Sequence, residues 1–178
     1  MGYTKIFETD RFVLRKCTID DAEDIFNYYA SRDKVTEYLS WNTHKSIEDT
    51  RSYLSNCVLP EYEKEFYCWF IELKSINKVI GNISVVKFDK DKKYAELGWV
   101  LSDDFWGQGI MPEAAKIVLD YVKSLGFVRI DARHNVENPK SGRVMQKIGM
   151  QFEGILRKSG LNNKNELVDM AFYSYIND

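Results

Sequence analysis

Hydrophobic and polar positions change their period several times along this chain. Phe12-Val13-Leu14-Arg15 is a short apolar run that reads as a strand. It gives way at Thr18 to Asp20, Asp21 and Glu23, acids suited to the positive end of a helix. Ala22, Ile25, Phe26 and Tyr29 then recur at three- and four-residue spacings, so that helix is expected to bury one face. Ser46, with Asp49 three positions on, opens a second helix in which Ile47, Tyr53 and Leu54 are expected to face inward. An aromatic linker containing Tyr38 and Trp41 lies between the two.

From Phe66 to Phe88 the composition turns β-branched and aromatic, broken at Ser75-Ile76-Asn77-Lys78, which predicts a hairpin. A charged turn at 89–93 leads to a strand from Tyr94 to Leu101. The strongest helical stripe follows over 111–125, through Ala114, Ile117, Val118, Tyr121, Val122 and Leu125, with Gly126 as its stop. A strand over 127–132 comes next, then a short helix capped by Asn138-Pro139 and ended by Gly149. Two closing strands, roughly 151–158 and 166–176, flank a turn at 161–165. The predicted order is strand, two helices, three strands, helix, strand, helix, two strands.

With 178 residues and no Pro/Gly/Ser linker or repeat, the pattern predicts one domain over 1–178. Its 25 basic and 27 acidic side chains lie in no long run of one sign, which argues against nucleic acid as a partner. Cys17, Cys57 and Cys68 form no Cys-x-x-Cys pair, so neither a metal nor a redox centre is expected, and a reducing cytoplasm fits. The first residues carry Lys5, Glu8, Asp10 and Arg11 and lack the apolar stretch of a signal peptide. No segment approaches the ~20 apolar residues of a membrane span.

The candidate chemistry begins at Phe105-Trp106-Gly107-Gln108-Gly109-Ile110-Met111-Pro112-Glu113-Ala114, which joins a strand to the best helix. Two glycines allow close backbone approach, and free amides at a helix start favour an anion such as a pyrophosphate. A tight strand-to-helix turn is the plainer account of the same residues. The third glycine of a dinucleotide fingerprint is absent, its position being Pro112, and so is the Gly-Lys-Ser/Thr of a mononucleotide loop. A second element, Asn138-Pro139-Lys140-Ser141 through Lys147-Ile148-Gly149-Met150, follows the next strand.

This pair of segments resembles the acetyl-coenzyme A site of the GNAT N-acetyltransferase superfamily, and Asn-x-x-Ser with Lys-x-Gly-Met resembles its ribosomal-protein N-terminal acetyltransferase branch. The resemblance covers about residues 10–175. It implies a mixed α/β (α+β) fold with a central splayed sheet of about seven strands flanked by about four helices. It also implies acetyl-CoA as co-substrate, bound along Leu97, Gly98, Trp99, Val100 and Leu101 for its pantetheine arm and at Gly107, Gln108, Gly109, Ile110 and Met111 for its phosphates. Asn138 and Ser141 complete that set, and Arg143, a cation on the short helix, is a further candidate for the phosphates, with a solvated helix face as its alternative. In the superfamily loop, usually Arg/Gln-x-x-Gly-x-Gly/Ala, Trp106 and Met111 stand where a polar and a small residue are usual.

Acetyl transfer to an amine needs a proton acceptor for the amine and a proton for the departing thiolate. Glu96, an acid within an apolar strand, is the candidate acceptor, with a solvent-facing strand residue as the alternative. The tyrosine that many superfamily members use as thiolate acid falls here at Met145, and the resembled branch implies Ser141 as the better donor, with Asn138 orienting the cofactor or a bound water. A hydroxyl satisfied by its own backbone is the competing account of Ser141. Tyr38 and Trp41, with Glu96, are the acceptor-side residues that the resemblance implies, together with the turn at 161–165, and a place in the core is the alternative for the two aromatics. The expected acceptor is a protein or peptide N-terminal amine. A small amine and a non-catalytic acyl-CoA sensor are the alternatives, and a homodimer is the assembly left open.

Overall fold

A computed structural model describes residues 3–177 of the chain. Its strands are β1 (Phe7–Glu8), β2 (Phe12–Arg15), β3 (Cys68–Leu73), β4 (Lys78–Asp89), β5 (Tyr94–Leu101), β6 (Arg129–Asn135), β7 (Gln151–Leu161) and β8 (Leu167–Ile176). They form one sheet in the order β1-β2-β3-β4-β5-β6-β8-β7. Its α-helices are α1 (Ala22–Ile25), α2 (Asp33–Thr36), α3 (Ile47–Tyr53), α4 (Ile110–Ser124) and α5 (Pro139–Lys147). The expected mixed α/β class stands. The sheet gains the two-residue β1, and the one-turn α2 adds a helix, both too short to carry a periodic signal.

The chain clusters into two compact units. Among the described residues one holds 3–36, 43–84 and 99–108, and the other 37–42, 85–98 and 109–177. In the first, β2 and β3 pair antiparallel and bury Phe12, Leu14, Phe70 and Ile71 completely. At the start of the first predicted helix Asp21 accepts two hydrogen bonds of 2.8 Å from Arg15 and one of 2.7 Å from the Thr18 amide. Burial alone would raise the Asp21 carboxyl, but Arg15 and that amide hold it below the usual carboxylate range. The predicted Ser46–Asp49 box is present, each residue bonding the other's backbone N–H. One detail differs: Tyr53 is an exposed residue, and Thr50, bonded to the His44 ring at 2.7 Å, takes the buried position. A hydroxyl is accepted there because it has a partner.

In the second unit α4 begins at Ile110, one residue before the predicted start, because Gly109 in the left-handed region (φ 77°) is its N-cap. Its buried stripe runs through Ile110, Met111, Ala114, Ala115, Val118, Leu119 and Val122, whereas Leu125 is exposed. β6 starts two residues later than predicted and runs three further. The polar residues Arg133, His134 and Asn135 that hid its end are held by backbone pairing to β8. β5 and β6 are parallel and pair from Tyr94↔Arg129 to Leu97↔Ala132. Beyond that point Arg133, His134 and Asn135 have partners on β8 alone among the described pairs.

Candidate active site

Glu96 lies on β5 opposite Asp131 on the parallel strand β6. Alternation points Tyr94 and Glu96 to one face, and the Tyr94 hydroxyl donates to Glu96 Oε2 at 3.3 Å. Arg133 Nε lies 2.9 Å from Glu96 Oε1, with the Glu96 side chain only 12% exposed. The solvent-facing alternative for Glu96 therefore fails. Asp131 is nearly as buried, and Arg129 lies 2.8 Å from its Oδ1, out of line for a hydrogen bond. Burial pushes the Asp131 carboxyl up, the neighbouring Glu96 and Glu153 push it further, and Arg129 offsets only part of this. The Tyr94 phenol is pushed up to about 12, by burial first and then by Glu96 and Asp131.

Gly98 follows directly on the last β5–β6 pair. Its backbone φ is not in the left-handed region, and a Cβ there would meet a Val86 methyl at 2.9 Å. A close side-chain approach on the β4 side thus accounts for this glycine. Leu97, Val100 and Leu101 are buried, while Gly98 and Trp99 are half-buried.

The turn into α4 has a backbone built for an anion. Gly107 and Gly109 adopt φ near 78° and 77°, a region that favours glycine. The amides of Gly107, Gln108, Gly109, Ile110 and Met111 make no hydrogen bond within the described chain. A Cβ added at Gly107 would meet nothing within 4 Å, so open space lies beside this residue of the turn. Five free donors at a helix start, with its positive dipole end, fit the phosphates of a coenzyme.

Both unusual side chains of the loop have structural employment. The Trp106 indole N–H donates to the Leu101 carbonyl at 2.8 Å, closing the end of β5. Met111 is buried, which turns its side chain into the core and leaves its amide at the turn. Arg11 also reaches the loop, donating to the Gln108 carbonyl at 2.9 Å. Arg32 pairs with Asp103 and Asp104 at 2.7 and 2.8 Å, ahead of the glycines.

On α5, Asn138 is the N-cap, yet its side chain makes no capping bond. The Ser141 hydroxyl has no partner within the described chain, so it is not satisfied by its own backbone. Arg143 is exposed and unpaired among the described residues, and Met145 is buried. A Cβ at Gly142 would come within 2.7 Å of His134 Nε2, so that glycine admits the histidine ring against α5. Tyr38 and Trp41 are half-buried on the linker. Burial, then the charges of Glu37 and Glu137, pushes the Tyr38 phenol up, which places this ring in electrostatic reach of the loop after β6. That loop and the β7–β8 hairpin line a cavity of about 980 Å³, with Val136, Glu137, Leu156, Leu167 and Asp169 among its walls.

The family model described as acetyltransferase (GNAT) domain matches residues 11–151. The chain belongs to this acetyltransferase family. Among similar proteins, the uncharacterized N-acetyltransferase YoaA of Bacillus subtilis (strain 168) is 34% identical over 154 residues, 86% of each chain. The ribosomal-protein-serine acetyltransferase of Escherichia coli (strain K12) is 29% identical over 146 residues, 81% of this chain and 80% of that one. RimL, a ribosomal alpha-N-protein acetyltransferase solved in complex with coenzyme A, superposes with a TM-score of 0.83 at 20% identity, covering 97% of this chain and 98% of that one, and shares the fold.

The expected N-acetyltransferase is thus borne out at the level of family and enzyme class. For a GNAT enzyme the sheet order also explains what sequence reading missed. Asp131 and Arg133 were not singled out, although Arg129-Ile130-Asp131-Ala132-Arg133 alternates charged with apolar residues, the mark of a strand with one polar face. Among the described residues no helix is long and apolar enough to cross a membrane.

Proposed function

We propose that this GNAT enzyme moves the acetyl group of acetyl-CoA to the N-terminal amine of a protein or peptide of the ribosomal-protein type. The observation that carries the donor is the run of five unbonded amides before α4. Acetyl-CoA supplies a thioester carbonyl for attack and a thiolate as leaving group. Gly107 to Met111 hold its phosphates through the backbone, and the edge of β5 from Leu97 to Leu101 takes the amides of the pantetheine arm. Asn138 and Arg143 complete the hold from α5. An N-terminal amine has a pKa of about 7.7–8.0, so part of it is already neutral near pH 7. Glu96 takes the proton that this amine loses on attack, directly or through one water. Ser141, whose hydroxyl is uncommitted, donates to the departing sulfur.

Two observations favour a polypeptide acceptor. The E. coli relative named for a ribosomal protein covers four-fifths of the chain. The 980 Å³ cavity, whose mixed walls include Leu156 and Leu167 beside Glu137, Asp169, Arg157 and Lys158, has the volume to take residues beyond the reacting amine. Tyr38 and Trp41 form the linker side of the acceptor site. Edge strand β7 exposes Phe152, Ile155 and Leu156, a surface that favours the homodimer and is checked by light scattering.

Thiol release from acetyl-CoA, measured against N-terminal peptides, polyamines and amino acids, tests the reading. Peptide-dependent release is the expected result. Release with small amines alone would move the acceptor class, and binding without release would make the protein a sensor.

A further inference from the structure

The Glu96 carboxylate has polar neighbours from two different strands, a hydroxyl that donates to it and a cation that pairs with it. Tyr94, two residues earlier on β5, donates to Oε2 at 3.3 Å, and Arg133, on β6, lies 2.9 Å from Oε1. Asp131 faces the same carboxylate from β6, with Glu153 beyond it. Arg129 is engaged with both of these, at 2.8 and 3.4 Å. Arg133 is therefore the one cation paired with Glu96 among the described residues.

We infer that Arg133 is a positioning residue for catalysis, holding the Glu96 carboxylate in the orientation in which it receives the amine's proton. The inference rests on the reading of Glu96 as proton acceptor. Each carboxylate oxygen has two lone-pair sites, so a hydroxyl at one oxygen and a cation at the other fix the group's rotation and leave a site on each oxygen for water or the amine. The Arg133 contact is an ion pair and the nearer of the two, whereas the Tyr94 bond is long and comes from a neutral donor. It also supplies the counter-charge that a buried carboxylate beside Asp131 needs. The guanidinium lies over the Phe172 ring, 5.9 Å from its centroid, which limits where the side chain can swing. At 42% exposure the Arg133 end of the pair is screened by solvent, so its loss costs folding modestly, and the thermal midpoint reads that cost separately from catalysis.

Four variants carry the test, assayed with acetyl-CoA and the peptide that the wild type turns over fastest: Arg133→Gln, Arg133→Lys, Glu96→Gln, and the Arg133→Gln/Glu96→Gln pair. Thermal midpoints are taken for each. Arg133→Gln should lower kcat by about 10- to 100-fold, the range that misplacing a reacting group costs, with KM for acetyl-CoA unchanged and only a small fall in the midpoint. Arg133→Lys should recover most of the loss, because the Lys ammonium reaches about where the guanidinium carbon now sits, one bond from Nε and still beside the Glu96 carboxylate. In the Glu96→Gln background Arg133→Gln should add nothing, since residues acting through one another are not additive. An Arg133→Gln loss of equal size in both backgrounds, or no rescue by lysine, overturns the inference. A slow Glu96→Gln enzyme beside a full-rate Arg133→Gln enzyme overturns it while leaving Glu96 as acceptor. A full-rate Glu96→Gln enzyme removes the acceptor reading and this inference with it.

Discussion

The two proton-handling positions proposed for this enzyme are built in opposite ways. Glu96, in the middle of β5, has both carboxylate oxygens engaged and a second carboxyl, Asp131, directly across the strand pair. Ser141, in the first turn of α5, has a hydroxyl bonded to nothing in the described chain, and neighbouring Asn138 leaves its own side chain uncommitted. The difference follows the chemistry. A charged group kept from water must be compensated at all times. A neutral hydroxyl that gives up a proton only as sulfur leaves can remain free to turn until a partner arrives.

That contrast breaks most readily at Glu96. Glu96→Gln should depress the plateau of kcat/KM by the ~10²- to 10⁴-fold typical of general base catalysis, in a steady-state assay across pH. An acid limb that moves with the pKa of the acceptor amine belongs to the amine, whereas one that stays fixed belongs to the enzyme. Undiminished turnover would make Glu96 a strand residue only.

Next in size is the turn that serves both positions by holding the donor. In Gly107→Trp a bulky side chain enters the open space beside this residue of the turn, at a φ that disfavours it by ~1–2 kcal/mol. Acetyl-CoA affinity should fall by about 100-fold in calorimetry while the circular dichroism spectrum is kept. An unchanged affinity would remove the phosphates from this turn.

Ser141→Ala should lower kcat about 10- to 100-fold with little change in acetyl-CoA affinity, below the full range for general acid catalysis because water can enter the vacated place. If kcat holds with a genuine peptide acceptor, a group other than Ser141 protonates the sulfur. The contrast with Glu96 would then rest on one side alone.

The smallest expected effect sharpens the electrostatic side. Burial and the nearby carboxylates favour the protonated form of Asp131 in the folded chain. A carboxyl raised in this way contributes stability below its unfolded pKa, and that contribution is lost as pH rises through the folded value. Asp131→Asn should therefore raise the thermal midpoint at pH 7, by no more than the ~2–4 °C that 1 kcal/mol produces in a chain of this size. The gap should narrow as pH falls toward 4. A midpoint lowered at pH 7 would show that the Arg129 pair outweighs the desolvation of Asp131.

Much of the architecture is local and was legible as such. The helix opening after Thr18, the capping box at Ser46, the hairpin break at 75–78, β5 from Tyr94 to Leu101 and the glycine turn before α4 each follow from spacings of a few residues. Errors fall where a distant partner overrode the local pattern. Thr50 displaced an aromatic neighbour from the interior because His44 satisfies its hydroxyl. β6 extends through three polar residues because β8 supplies their backbone partners. Trp106 departs from the family's loop pattern yet has a place, because Leu101 offers a carbonyl to its indole.

The sequence by itself determined the order and kind of most elements, the positions of the glycine turn and the Asn138–Ser141 element, and the family they resemble. All of these depend on residue type at short separation. Only the tertiary structure decided that Arg133 meets Glu96, that Asp131 lies opposite it, and that the Ser141 hydroxyl is uncommitted. Residues 96 and 133 are far apart in the chain, and nothing in either local segment specifies the other. Their meeting is set by the parallel register of β5 and β6, since a one-residue slip would send each side chain to the opposite face.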